Sequence, residues 1–266
     1  MALGDQTQVT PDPLTPGRTL GGCRLIAPLH EDATGITFLA EHNRIKRRCA
    51  IKARPARLAT REAIARLQSE ASACAVAQHP NVVTAFNVGV EHGVHFVELE
   101  HVDGDRLDRV LTERGRLQPE EAVRIVTECC KGLVAVHAHG IVHRALAPGS
   151  VLLGKKGHVK LTGFASATLA SDPHLKTALL PGAPGFMPPE QGRGEELDPR
   201  SDLYSLGALW YALLTGTPPA AEAAPAPPAG VSPQVAQIVL RMLSRAPADR
   251  CQRAADVLAA LDGPTS

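Results

Sequence analysis

Apolar positions along the chain change texture part-way. Between residues 18 and 100 they fall in short runs: Cys23-Arg24-Leu25-Ile26, Ile36-Thr37-Phe38-Leu39-Ala40, Cys49-Ala50-Ile51-Lys52 and Val94-His95-Phe96-Val97. Runs of that length, rich in β-branched and aromatic residues, predict strands. One stretch interrupts them, Thr60 to Ala77, whose Ala, Arg, Leu and Glu content predicts a helix. Beyond residue 105 the helical period dominates, over Pro119–Ala138, Asp202–Leu214, Pro233–Ser244 and Arg253–Leu261. Thr217 to Gly230 is crowded with Pro and Ala, and prolines at that density predict a loop. A β-rich part followed by a helical part predicts an α+β fold with room for a cleft between the two.

Composition narrows the field. Of 266 residues, 44% are hydrophobic and 21% charged, which supplies a sizeable core and excludes a disordered polyelectrolyte. The 28 Lys and Arg nearly cancel the 27 Asp and Glu, so the formal net charge of +1 offers no field for nucleic acid or an anionic membrane. The longest mainly apolar stretch, Leu203–Leu214, is about 12 residues, against the roughly 20 of a membrane span. Met1–Gly17 is polar and proline-rich without the basic-then-apolar order of a secretory signal. The expectation is a soluble, cytoplasmic protein. The six cysteines (Cys23, Cys49, Cys74, Cys129, Cys130, Cys251) form no C-x-x-C pair and no zinc-finger spacing, and several sit in apolar surroundings. They are expected to be buried, reduced thiols with no metal site.

The order of short motifs from about Leu20 to Leu261 resembles that of the bacterial, eukaryote-like Ser/Thr protein kinases. Ala50-Ile51-Lys52 is similar to the A-x-K of the family's third strand, and Glu70 stands where its helix glutamate would be. His79-Pro80-Asn81-Val82-Val83 matches the turn into the fourth strand. His143-Arg144 lies where the catalytic loop begins, Lys160-Leu161-Thr162 leads into the metal-binding turn, and Pro188-Pro189-Glu190 resembles A-P-E. Asp202-Leu203-Tyr204-Ser205-Leu206-Gly207 looks like the start of the central helix, and Arg250 like the partner of the A-P-E glutamate. The resemblance implies a two-lobed kinase-like fold. Its small β-rich N-lobe would span 18–102 and its helical C-lobe 103–262, with a disordered segment at 1–17 and a tail at 263–266.

The departures bear on function. Where the family reads H-R-D-L-K-P-x-N, this chain has His143-Arg144-Ala145-Leu146-Ala147-Pro148-Gly149-Ser150, and D-F-G becomes Gly163-Phe164-Ala165. The proton acceptor is therefore Ala145, the loop lysine Ala147, and the metal-binding positions Ser150 and Gly163. The threonine ahead of A-P-E is Ala183. Where the resemblance places the phosphate-covering loop, His30-Glu31-Asp32-Ala33-Thr34-Gly35 keeps one glycine of three, and its two carboxylates would face a polyanion bound there. A like-charge contact at about 4 Å costs on the order of 4 kcal/mol at an effective dielectric near 20.

The resemblance thus implies a pseudokinase, with no catalytic residue and no metal. It would act as a signalling scaffold or allosteric module for a protein partner, an active Ser/Thr kinase among the candidates. Lys52 and Glu70 would serve as an ion pair that orders a helix, or as a retained nucleotide contact. Leu99 would be the gatekeeper, Glu100 to Val102 the hinge, and Ala50 and Leu152 would sandwich an adenine. No cofactor is expected beyond weak, magnesium-independent nucleotide. Two alternatives stand beside this one. One is residual phosphotransfer with Asp172 or Asp103 recruited; the other is a metal-independent nucleotide sensor. His143 and Phe164 would stack with Cys74 in the core. Ser166, Thr168, Ser171 and Thr177 offer hydroxyls for phosphorylation by another kinase, and the basic run Arg44–Arg48 is either a solvated turn or a dock for an acidic partner.

Overall fold

The computed structural model describes residues 14–32, 35–169, 183, 185–220 and 225–263. These fall into two compact units, one within Met1–Ala65 and Phe86–His101, the other within Arg66–Ala85 and Val102–Ser266.

The first unit is a sheet of six strands: β1 (Thr19–Leu20), β2 (Cys23–Asp32), β3 (Gly35–His42), β4 (Arg48–Arg54), β5 (Ala85–Glu91) and β6 (Val94–Glu100). Their order is β1-β2-β3-β4-β6-β5. Side chains alternate across the sheet, so one face of β4 turns Cys49, Ile51 and Ala53 into a core shared with Leu25, Phe38, Ala40 and Phe96. The register of β2 against β3 shifts between Leu25 and Ala27 and again between Pro28 and His30, and such bulges bend the paired strands. Two sequence expectations change here. β2 does not stop at Ile26 but runs on to Asp32, with Asp32 opposite Gly35, so His30 to Asp32 are strand residues. Leu14, expected within the disordered segment, is 7% exposed and belongs to the sheet's core. Nearby, the Gly17 N–H donates to the Leu25 carbonyl at 2.8 Å.

The second unit is helical. It takes most of α1 (Arg61–Val76), because Ala73 and Cys74, with Ala77 just beyond the helix, pack into its core. It continues with α2 (Leu107–Arg114), α3 (Pro119–Ala138), α4 (Pro189–Gly192), α5 (Pro199–Thr215), α6 (Pro233–Met242) and α7 (Ala254–Asp262). Short strands accompany them: β7 (Gly104–Arg106), β9 (Val151–Gly154) and β10 (Val159–Leu161) form one sheet, and β8 (Ile141–Val142) pairs with β11 (Thr168–Leu169).

Helix α5 holds the stretch that the sequence weighs against a membrane span. Asp198 caps it by accepting from the Arg200 N–H at 2.8 Å, Pro199 opens it, and Gly216 ends it in the left-handed region at φ 86°. Leu203, Leu206, Leu209, Trp210 and Leu213 are all 0% exposed, as a helix apolar all round must be in a core. No helix among the described residues is long and apolar enough to cross a membrane. The described part of Thr217–Gly230 is free of helix.

Candidate functional site

The residues that the sequence assigns to a nucleotide site are divided between the two units. In the first, β4 and β6 pair with Ala50 opposite Leu99 and Lys52 opposite Val97. Directly opposed residues point to the same side, so these four share the sheet face turned away from Cys49 and Ile51. Ala50 is 9% and Leu99 5% exposed. Glu70, on α1, and Leu152, on β9, belong to the second unit, and Glu70 is 1% exposed.

Gly35, which the resemblance places in a phosphate-covering loop, has a reason of its own to be there. Its φ is +139°, and a Cβ at that point would run into the Ala53 carbonyl oxygen across the β3–β4 pair. The position is fixed by strand packing, whatever the loop binds.

The positions that the resemblance assigns to catalysis and metal come together in the second unit. After β8 the chain turns through 143–147 into a single 3-10 turn, Pro148–Ser150, and on into β9. Asp202 of α5 fixes the start of this loop. One carboxylate oxygen accepts from the His143 backbone N–H at 2.8 Å and meets His137 Nε2 at 2.8 Å, while the other accepts from the Arg144 N–H at 2.9 Å. Arg144 sits at φ 66°, an uncommon conformation for a residue with a side chain, and these bonds hold it there. Burial pushes the Asp202 carboxyl up, but the hydrogen bonds and electrostatic pull of His137 and His143 together outweigh it and hold the group below its ordinary value. For His143 burial dominates: its pKa is lowered against the opposing pull of Asp202. Its Nε2 lies 2.9 Å from the Thr162 carbonyl, and its ring packs on Phe164 with centroids 4.5 Å apart. Cys74 lies in the same core as Phe164.

Ser150 is tied to the loop itself. Its hydroxyl donates to the Ala147 carbonyl at 2.8 Å and accepts from the Ala147 N–H at 3.0 Å. Its own carbonyl accepts from the Thr162 N–H at 2.9 Å, and that bond brings Gly163 beside it. Gly163 takes the left-handed conformation at φ 80°, and a Cβ there would lie 3.3 Å from Ser150 Cβ. The two positions that would hold metal are therefore neighbours, one carrying a committed hydroxyl and the other a hydrogen. Ala145 follows on the same loop and is part-buried. Asp103, one of the two carboxylates weighed for recruitment, pairs with Lys155 at 2.9 Å, beyond the end of β9 remote from Ser150. Asp172, Ser171 and Thr177 lie outside the described residues.

Framework positions are intact. Glu190 receives two hydrogen bonds from Arg250, at 2.6 and 2.7 Å, and a third from Ser201 Oγ at 2.8 Å. Burial raises the Glu190 carboxyl, and Arg250, the backbone N–H of Glu190 itself and Ser201 together more than reverse that, so the group is held below its ordinary value. In the His79–Val83 run, Asn81 Nδ2 donates to Glu128 at 2.8 Å and to the Val159 carbonyl at 2.8 Å, stitching the turn to α3 and β10. The sequence reading did not single out His137 or the closed Ser150–Ala147 pair. Both depend on backbone and helix positions that spacing alone does not fix.

A model of the protein kinase domain matches residues 29–259. The chain belongs to the protein kinase family. Its kinase architecture is α+β, a curled β-sheet N-lobe and a helical C-lobe. It is 32% identical over 247 residues to the serine/threonine-protein kinase PknB of Mycolicibacterium smegmatis, covering 84% of this chain and 40% of that protein. A probable serine/threonine-protein kinase PknB of Lactococcus lactis is 38% identical over 158 residues, 59% of this chain and 25% of its own length. A probable serine/threonine-protein kinase of Streptomyces coelicolor is 32% identical over 275 residues, 92% and 41% of the two chains. This kinase domain thus spans about two-fifths or less of these relatives.

Proposed function

We propose that this kinase domain is a pseudokinase, a cytoplasmic binding and scaffolding module that does not transfer phosphate from Mg-ATP. The observation that carries the reading is the alanine at 145, backed by Gly163 and Ser150 at the metal positions. Phosphoryl transfer to an alcohol needs a carboxylate to take the hydroxyl proton, and oxygen ligands to hold magnesium against the phosphates. A methyl group and a hydrogen supply neither. The one oxygen left, Ser150 Oγ, is engaged on both its donor and acceptor sides by Ala147. The partner we propose is another signalling protein, an active Ser/Thr kinase first among them, and the net charge of +1 argues against nucleic acid.

A second reading is favoured by the relatives, all named as serine/threonine kinases, and by the presence of Lys52 at the A-x-K position. On that reading the domain transfers phosphate through an atypical carboxylate. Purified protein incubated with radiolabelled ATP, magnesium and a mixed protein substrate separates the two, with Lys52→Ala as control. The pseudokinase reading expects equal background from both proteins; transfer that depends on Lys52 overturns it.

A further inference from the structure

Three buried donor atoms of the first unit meet beneath its sheet. Cys23 Sγ, Cys49 Sγ and a carboxylate oxygen of Glu98 all lie within 4.8 Å of one another, the one such group among the described residues. Both cysteines are 0% and Glu98 3% exposed. Strand register explains the convergence. Cys23 on β2 stands opposite His42, and Cys49 on β4 opposite Ala40, two places along the same face of β3. Glu100 stands opposite Cys49, and Glu98 is two places along β6 on that same face. Ala40, small and fully buried, stands between them on β3, and the two thiols hydrogen-bond to each other.

Two features say what could bind the three groups. The thiols cannot simply join: their strands are separated by β3, so two strand spacings alone set them about 9.5 Å apart across the sheet, before the two-place offset along β3 is added. A disulfide reaches about 7 Å at most. A metal ion spans the gap, since two sulfurs each about 2.3 Å from a tetrahedral zinc are themselves about 3.8 Å apart. The charge also balances. Arg47 Nη2 lies 2.7 Å from Glu98 Oε1, and Arg47 Nε is shielded from solvent among atoms that offer it no acceptor. With both thiols protonated, the cluster carries one negative carboxylate and one positive guanidinium. A divalent ion that displaces the two thiol protons to solvent makes two metal–sulfur bonds for two S–H bonds broken, and the net charge is unchanged.

We infer that Cys23, Cys49 and Glu98 form a site for one thiophilic divalent ion of the zinc type, a clamp that ties β2, β4 and β6 together. The site is independent of any phosphotransfer and of the pseudokinase reading. No metal is expected from the sequence at these positions, because the three ligands come from separate strands with none of the close spacing of a zinc motif.

The test uses the whole chain, reduced and metal-free, titrated with Cd2+ and followed by thiolate-to-cadmium absorption in the ultraviolet. The expected result is saturation at one equivalent, abolished by Cys23→Ser and by Cys49→Ser and untouched by Cys129→Ser or Cys251→Ser. Arg47→Met, which removes the partner of a ligating carboxylate, should weaken binding about 10–100-fold. X-ray absorption at the zinc edge of the wild-type chain needs no variant to fold. Two sulfurs at about 2.3 Å with lighter atoms completing the shell are expected. No charge-transfer band, a band that survives both serine variants, or a zinc shell without two sulfurs would overturn the site.

Discussion

Arg250 is 0% exposed, and each of its five N–H donors has an acceptor. Two go to Glu190, and the others to the carbonyls of Arg200, Ser244 and Arg245. A guanidinium so enclosed cannot be removed without stranding a buried carboxylate. Arg250→Met should lower stability by about 3–5 kcal/mol, read from urea unfolding, while pairing it with Glu190→Leu should recover much of the loss. Protonation acts on His143 in a related way. Burial lowers its folded pKa beneath the ordinary 6.5, so the unfolded chain takes up the proton first as pH falls. Stability is therefore full above about pH 6.5 and declines below it, towards the lowered folded value. His79, also lowered mainly by burial, adds to the same slope. Melting temperatures between pH 7 and 5 should fall more steeply for the wild type than for His143→Phe, which keeps the ring against Phe164 and loses the titrating nitrogens. A slope unchanged by that substitution would assign the pH response elsewhere.

At the scale of elements, sequence periodicity locates the helices to within three residues at each end. Thr60–Ala77 becomes Arg61–Val76, Pro119–Ala138 is reproduced, and Asp202–Leu214 widens to Pro199–Thr215 once its capping residues are counted. Helix α2 and strand β5 were not among the runs picked out. In β5 Phe86, Val88 and Val90 alternate with Asn87, Gly89 and Glu91, but it is the apolar face that is exposed, the reverse of a half-buried strand. Gly35 shows a different limit. A glycine in a loop reads as phosphate chemistry, and its real constraint is a carbonyl on the neighbouring strand that no local pattern reveals. Gly35→Ala should cost about 1–3 kcal/mol for the forced backbone alone. The same substitution at Gly192, where a Cβ would meet nothing within 4 Å, should be near neutral by the same unfolding measurement.

For the molecule as a whole, the kinase motifs were legible because they are strung along the chain in a fixed order, and the residues that would do chemistry are named by position in that string. The metal cluster was not, since strand register and not sequence distance brings Cys23, Cys49 and Glu98 together. Function is tested at this scale by nucleotide. A ligand at one hundred times its dissociation constant stabilises a protein by about 2.7 kcal/mol. The pseudokinase reading expects no rise in melting temperature with Mg-ATP. A rise with ATP in the absence of magnesium would identify a nucleotide sensor, and a rise only with both would favour a working kinase.

Asp202 grips His143 and Arg144 by their amide groups, and Ser150 grips Ala147 by its amide and carbonyl. Neither clasp asks anything of the side chain at 145 or 147. Mutational drift at those two places is therefore nearly invisible to folding, and a lineage can lay down the reaction while keeping the shape.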